Sequence, residues 1–320
     1  MRDGPSENVA TLLGVMAICF WSTSFATSGS LATEIGSLTA AALAFIIGGT
    51  LGLMPLAVSP FRRRHLFAMR PDYLIICGGL VAIYAVSIYL AVGLAKDSQQ
   101  VLEVSVLNYL FPTCTLLFSI PILKARARPT LALGVGAAFA GALLALTNGR
   151  SFDWSSLWVR LESDWLPYLL GFCAAVSWAL YSVLSRRLAA GSKGNAVPLF
   201  ILFAGLVLLG CSAVRGEAHH WSARAIGELF FMALIPILLA YVFWDMAMRR
   251  GRIVLVTALS YFTPVLSLLT TSLYLKAPAG PRLWIGGLLV TVGAIICAKS
   301  LHPPEETSPA PATAARTEDA

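Results

Sequence analysis

Charge is scarce in this sequence. Only 12% of its 320 residues are Asp, Glu, Lys or Arg, where a soluble domain carries about 25%. Extensive water-facing surface is therefore excluded for most of the chain. Histidine is equally sparse, and His65, His219, His220 and His302 all fall outside the apolar runs. This argues against a histidine proton relay or a metal centre inside them. There is no HExxH motif, so a membrane enzyme of that type has no catalytic constellation. No cofactor is expected. The six cysteines (Cys19, Cys77, Cys114, Cys173, Cys211, Cys297) stand singly, without metal or redox spacing. Lys and Arg are missing from the middle of every apolar run, so a phosphorylated substrate would lack its usual partner.

What is present is apolar: 58% of the residues are hydrophobic. A membrane-spanning helix needs about 20 mainly apolar residues. Ten stretches qualify: 9–30, 36–58, 73–95, 99–123, 129–148, 165–187, 195–214, 225–248, 252–275 and 282–300. Placing the N-terminus in the cytoplasm puts 16 of the 23 basic residues on the cytoplasmic side, as the positive-inside rule requires. The net charge of +7 is thereby explained by topology, and no nucleic-acid partner is expected. Both termini are expected in the cytoplasm, with the chain multi-pass in the membrane. The first apolar run exceeds the 7–15 residues of a signal-peptide core and reads as a retained first span. The tail from Pro303 to Ala320 is rich in Pro, Ala, Thr and Glu, a composition that favours disorder.

The sequence repeats itself. At an offset of 152, Tyr109, Pro112, Leu116, Leu123, Lys124, Pro129, Gly134 and Gly141 recur as Tyr261, Pro264, Leu268, Leu275, Lys276, Pro281, Gly286 and Gly293. A shorter echo at offset 157 matches Leu12, Gly14, Trp21 and Leu31 to Leu169, Gly171, Trp178 and Leu188. Five spans per half is an odd number, so the second half enters the membrane upside down. The expected fold is all-α and integral to the membrane, with ten transmembrane helices in two inverted-topology five-helix repeats. Its segments are 1–8 (cytoplasmic), 9–148 (first repeat), 149–164 (outer loop), 165–300 (second repeat) and 301–320 (tail). Repeats of this kind are the signature of transporters, with the site between the halves near the midplane.

The repeated prolines mark candidate sites. A proline inside a helix deprives the carbonyl four residues earlier of its partner. For Pro112 that carbonyl belongs to Asn108, and for Pro264 to Ser260. Polar side chains and freed carbonyls then coincide beside Tyr109 and Tyr261. One reading makes 108–112 and 260–264 hinges that line a cavity; the other makes them ordinary kinks repaired by a neighbouring Ser or Thr. Trp21 and Trp178, with Tyr84 and Tyr181, complete the expected substrate-binding set. The walls are apolar with a few polar points, which suits a small amphiphilic molecule.

Intramembrane carboxylates are costly and so are candidates by default. Asp245 is followed by Arg249 four residues on, the spacing of an ion pair at the membrane interface. Glu103 has no cation on its own helix, and Lys96 is expected within reach. It serves either a structural role near the outer mouth or the binding of an ammonium group or proton. Gly134, Ala138 and Gly141, echoed by Gly286, Val290 and Gly293, allow spans five and ten to approach their neighbours closely. That face leaves a monomer or a homodimer open.

With Trp21 and Trp178, and with Tyr109–Pro112 and Tyr261–Pro264, the chain over residues 9–300 resembles the drug/metabolite transporter superfamily of the EamA type. Two departures stand out. Ser22 and Ala179 follow the tryptophans where many members have Gly. Lys124–Ala125 and Lys276–Ala277 stand where many have Gly-Glu. Within the superfamily the chain looks most like bacterial exporters of aromatic and other neutral amino acids. The resemblance implies export through a central cavity by alternating access. A rival reading is export of cationic drug-like compounds anchored on Glu103, and a remoter one is a membrane scaffold without transport.

Overall fold

The structure is a computed structural model and describes residues 5–147, 159, 162–189, 192–217, 220–275 and 281–302. Trp154, Trp158, His219, Lys276–Ala277 and the tail 303–320 lie outside these. In chain order the helices are α1 (Glu7–Ile35), α2 (Ser37–Val58), α3 (Pro60–Phe67), α4 (Gly78–Leu94), α5 (Ser98–Asn108), α6 (Phe111–Leu123) and α7 (Thr130–Thr147). They continue with α8 (Leu166–Leu188), α9 (Val197–Arg215), α10 (Ala223–Met232), α11 (Ala240–Arg250), α12 (Ile253–Leu259), α13 (Phe262–Leu275) and α14 (Pro281–Ser300). Wider π turns lead into α4 over Tyr73–Cys77 and join α10 to α11 over Ala233–Leu239, where Pro236 sits. Among the described residues, six helical stretches are long and apolar enough to cross a membrane: Ser37–Val58, Tyr73–Leu94, Glu103–Leu123, Leu166–Leu188, Val197–Arg215 and Ala223–Arg250.

Hydroxyl-bearing residues are accommodated in apolar helices because their protons are spent locally. Ser22, Thr23, Ser24 and Thr27 of α1 each donate to the carbonyl three residues back, which removes the cost of a bare hydroxyl in an apolar setting. Short polar side chains cap helices that start in water. Asp97 accepts from Gln100 N at 2.8 Å and Ser222 from Ala225 N at 3.0 Å. Leu12, Met54, Ile83, Leu133, Phe203, Leu206 and Leu288 face outward, as a lipid-contacting belt would.

Two features differ from the expected pattern. The basic segment after α2 is helical, because Ser59 caps it through Arg62 N at 3.3 Å and Pro60 starts it with φ already set. The expected all-α chain also contains a two-residue antiparallel pairing, Arg126 with His302 and Ala127 with Leu301. Lys124, left-handed at φ 56°, ends α6 and turns the chain into this pairing.

Packing follows the repeat. α1 lies against α11 and α13, while α8 lies against α4 and α6; α2 packs on α9, and α7 on α14. The α7–α14 contact uses the small-residue stripe. A Cβ on Gly141 would sit 2.6 Å from the Gly286 carbonyl oxygen, and one on Gly134 2.8 Å from Cys297 N. The stripe is therefore consumed within the chain.

The α1–α2 corner is closed from a distance. Gly36, at φ 84°, has no side chain to cap α2. Glu217, beyond the end of α9, supplies the cap instead. Its carboxylate accepts from Leu38 N at 3.1 Å, and from Thr39 N and the Thr39 hydroxyl at 2.7 Å each. Burial pushes the Glu217 carboxyl up, but the Thr39 side chain and the backbone N–H groups of Leu38 and Thr39 outweigh it and hold the carboxyl below its ordinary range. Because the folded value lies below the unfolded one, this stabilisation is complete above the usual glutamate pKa of about 4.3 and is lost as pH falls through the folded value. Glu217→Gln is expected to cost about 1 kcal/mol at neutral pH. The gap in melting temperature between variant and parent should close in acid, as thermal unfolding measured across pH would reveal.

Candidate functional site

The middle of the molecule is an aromatic assembly built around Trp178 of α8. Its ring lies 5.5 Å from Trp21, 4.7 Å from Tyr84, 5.0 Å from Tyr241 and 5.2 Å from Tyr181, centroid to centroid. Trp21 lies 5.2 Å from Trp244 and 5.9 Å from Tyr241. Ring pairs at these separations are favourable beyond their area alone. The Trp21 indole N–H donates to the Pro236 carbonyl at 2.9 Å. A proline and a π turn disrupt the helical ladder locally, and here the carbonyl is satisfied by a side chain from α1.

Above this assembly lies a cavity of about 170 Å³. Trp21, Tyr84, Asn108, Tyr109 and Trp178 line it, with Ser24, Tyr89, Phe111, Met232, Pro236, Ile237, Tyr241, Thr263 and Ser267. Five of the eight expected substrate-binding residues therefore converge. Asn108 Oδ1 is buried without a hydrogen-bond partner. Ser24 and Thr263 donate to helix carbonyls, so what remains to them is acceptor capacity.

The other three expected residues are absent from the lining. Tyr181 is fully buried one turn below Trp178, and its hydroxyl donates to Asp245 at 3.2 Å. Ser260 is buried and donates to the Thr257 carbonyl at 2.6 Å. Tyr261 packs against Ala138, Ala142 and Val290, with its hydroxyl on Thr113. The prolines do not kink continuous helices. Each chain breaks just before its proline, at Tyr109–Leu110 and at Ser260–Tyr261, and Pro112 and Pro264 fall in the first turn of α6 and α13, where a missing N–H is tolerated. The Ser260 carbonyl is not left open either. It accepts from Thr263 N at 3.0 Å and from the Thr263 hydroxyl at 2.7 Å.

The carboxylates are both occupied. Glu103 is 1% exposed and accepts from the Tyr168 hydroxyl at 2.5 Å. Lys96, expected to reach it, pairs with Asp164 at 3.3 Å instead, and Glu103 is no part of the cavity lining. Asp245 and Arg249 do pair at i and i+4, at 3.1 Å, but their side chains are only 1% and 6% exposed. They lie inside the protein, away from any interfacial surface.

Tyr241, Trp244 and Tyr73 escaped the reading of the sequence. One signal for Tyr241 was present: it stands 157 residues after Tyr84, the offset that relates Trp21 to Trp178. The two contacts Trp178–Tyr84 and Trp21–Tyr241 exchange under that offset. Trp244 and Tyr73 have no such counterpart, since positions 87 and 230 hold Ser and Phe.

The model of the EamA-like transporter family matches residues 8–147 and 165–298. An aromatic amino acid exporter, YddG, of Ancylobacter novellus is 31% identical over 302 residues, covering 91% of this chain and 97% of that protein. Its namesake from Salmonella typhimurium is 29% identical over 289 residues, covering 90% and 96%. A solved crystal structure superposes with a TM-score of 0.77 at 27% identity, covering 91% of this chain and 98% of the other.

The geometry makes Trp21 a structural donor as well as a wall. Trp21→Phe keeps a ring but leaves the Pro236 carbonyl without its indole partner, a loss of about 1–3 kcal/mol. A lower melting temperature, with the cavity rings still packed, is the expected outcome in thermal unfolding.

Proposed function

The chain belongs to the EamA-like transporter family, and on that footing we propose that it exports aromatic and other neutral amino acids by alternating access. The observation that carries the proposal is the aromatic-walled cavity with the buried, unpartnered Asn108 Oδ1 at its edge. Trp21, Trp178 and Tyr84 pack the substrate side chain. Asn108 Oδ1 and the lone pairs of Ser24 and Thr263 favour an ammonium group, which only donates. The tyrosines of the lining bring O–H donors for a carboxylate. At about 170 Å³ the space is below the roughly 300 Å³ at which pockets for drug-sized ligands begin. No carboxylate is among the described lining residues. Both points weigh against drug-like cations.

The chain crosses the membrane ten times in this reading, as two inverted five-helix halves with both termini on the basic, cytoplasmic side. Support comes from the exchanged contacts: α1 on α11 and α13 mirrors α8 on α4 and α6. The breaks before Pro112 and Pro264 act as hinges between states. The names of the relatives in Ancylobacter and Salmonella favour aromatic amino acids over other neutral ones.

The reading is tested by uptake of labelled Trp, Phe, Thr and Met into proteoliposomes holding the purified protein, with and without a pH gradient. Saturable uptake above empty liposomes is expected, strongest for Trp and Phe; none for any of the four would refute the substrate class. Trp178→Ala should lower transport efficiency about tenfold, the loss of one strong aromatic contact. Asn108→Ala removes the unpartnered oxygen together with the hydrogen bond between the Asn108 amide and Tyr84, and should weaken binding of phenylalanine followed by tryptophan fluorescence.

A further inference from the structure

Below the cavity, toward the end where the basic loops gather, the interior is closed by a second structure that the substrate site does not need. The Trp244 indole donates to Ser182 Oγ at 3.0 Å. One layer further, Asp245 Oδ1 accepts from both Tyr181 (3.2 Å) and Tyr73 (3.3 Å). Asp245 Oδ2 pairs with Arg249, whose guanidinium reaches the carbonyls of Gly194 at 3.0 Å, Ser192 at 2.8 Å and Ala189 at 3.3 Å. The guanidinium also lies 5.9 Å from the Tyr73 ring centroid. One buried side chain thus joins α11, the turn before α4 and the segment that follows α8.

Outside this clamp is a cavity of about 310 Å³ lined by His65, Arg70, Tyr73, Ala189, Ser192 and Lys193 among others. Tyr73, Ala189 and Ser192 belong to both the cavity and the clamp. The clamp therefore forms part of the wall of this mouth. A direct mechanical connection exists as well, because Trp178 of the cavity wall and Tyr181 of the clamp are one turn apart on α8 with rings 5.2 Å apart.

The clamp is one-sided. At the repeat offset of 157, Asp245 and Arg249 correspond to Ile88 and Val92, and Tyr181 corresponds to Ser24. In an inverted repeat those positions face the opposite end of the path, and they carry neither acid nor base. Arg249 also keeps its Nε buried without an acceptor, so the clamp is not a fully satisfied structural network of the kind that would be fixed in place.

From this we infer that Asp245 and Arg249 form the inner gate of the transport path, holding its basic end shut while the central cavity communicates with the other side, and that they must separate for loading. The inference rests on the transport reading above. Breaking the pair moves the population toward the state open at the basic end.

Cys77, fully buried in the turn that carries Tyr73, is a built-in reporter. With the other five cysteines replaced by alanine, its labelling by a membrane-impermeant maleimide is measured from the basic side in inside-out vesicles. Arg249→Lys keeps the charge but loses the fork, and should raise the labelling rate about tenfold. A cysteine placed at Ser24, on the cavity wall, is labelled from the opposite side in parallel. Its rate should fall severalfold in the same variant, because alternating access closes one side as the other opens. Faster Cys77 labelling with an unchanged Ser24→Cys rate would mean loosened packing only and would overturn the gate, as would an unchanged Cys77. Asp245→Asn, nearly isosteric, serves if Arg249→Lys does not yield a monodisperse protein, with the same expectations. Uptake of labelled phenylalanine by the parent protein is run alongside. Its failure with the reciprocal labelling intact would remove the substrate assignment and leave the gate.

Discussion

The constraint on which the structure depends is that a polar group inside hydrocarbon must find its partner within the protein. This selects helices for the apolar runs and decides how polar residues enter them. The hydroxyls of α1 turn back onto their own carbonyls. The Pro236 carbonyl, in a widened turn, is met by the Trp21 indole, and the Ser260 carbonyl by Thr263. The widened turn at Pro236 thereby becomes a point where a second helix is tied in. Asn108 Oδ1 and Arg249 Nε are among the exceptions, buried without a partner, and of the two it is Asn108 that lines the cavity.

Both ends of the bundle meet the same constraint with charged side chains at helix termini. At the basic end, arginines cover carbonyls where helices finish. Arg249 does so on Ala189, Ser192 and Gly194, and Arg186 on Met248 at 3.1 Å and Gly251 at 2.8 Å. At the other end Arg215 covers the Gly93 carbonyl at 2.7 Å, and Glu217 covers the N–H groups where α2 begins. Both follow the partial charges of helix termini. Basic residues gathered at one end thus also tie helices together there.

How much of this could be read from the sequence depended on whether a residue's partner was local. The helical stretches, the i and i+4 pairing of Asp245 with Arg249, and the convergence of Trp21, Trp178, Tyr84, Asn108 and Tyr109 follow from periodicity and repetition. Tyr109 and Tyr261 are equivalent in sequence, yet one lines the cavity and the other turns to Thr113. A repeat fixes where the backbone goes and leaves the choice of partner to the neighbours. Lys96 illustrates the same point, since Asp164, 68 positions away in the sequence, claims it before Glu103 can. Glu217 capping α2 from 178 residues away has no trace in local pattern at all.

The one-sidedness of the Asp245–Arg249 pair bears on how such a molecule could have arisen. In the inverted arrangement proposed, two identical halves would carry the pair on both faces and bolt the path at each end simultaneously, leaving the cavity sealed from either compartment. A working ancestor made of two equal copies would have had to do without the bolt. The pair thus requires two halves that differ, and Ile88 and Val92 are the residues that differ from it in the first half.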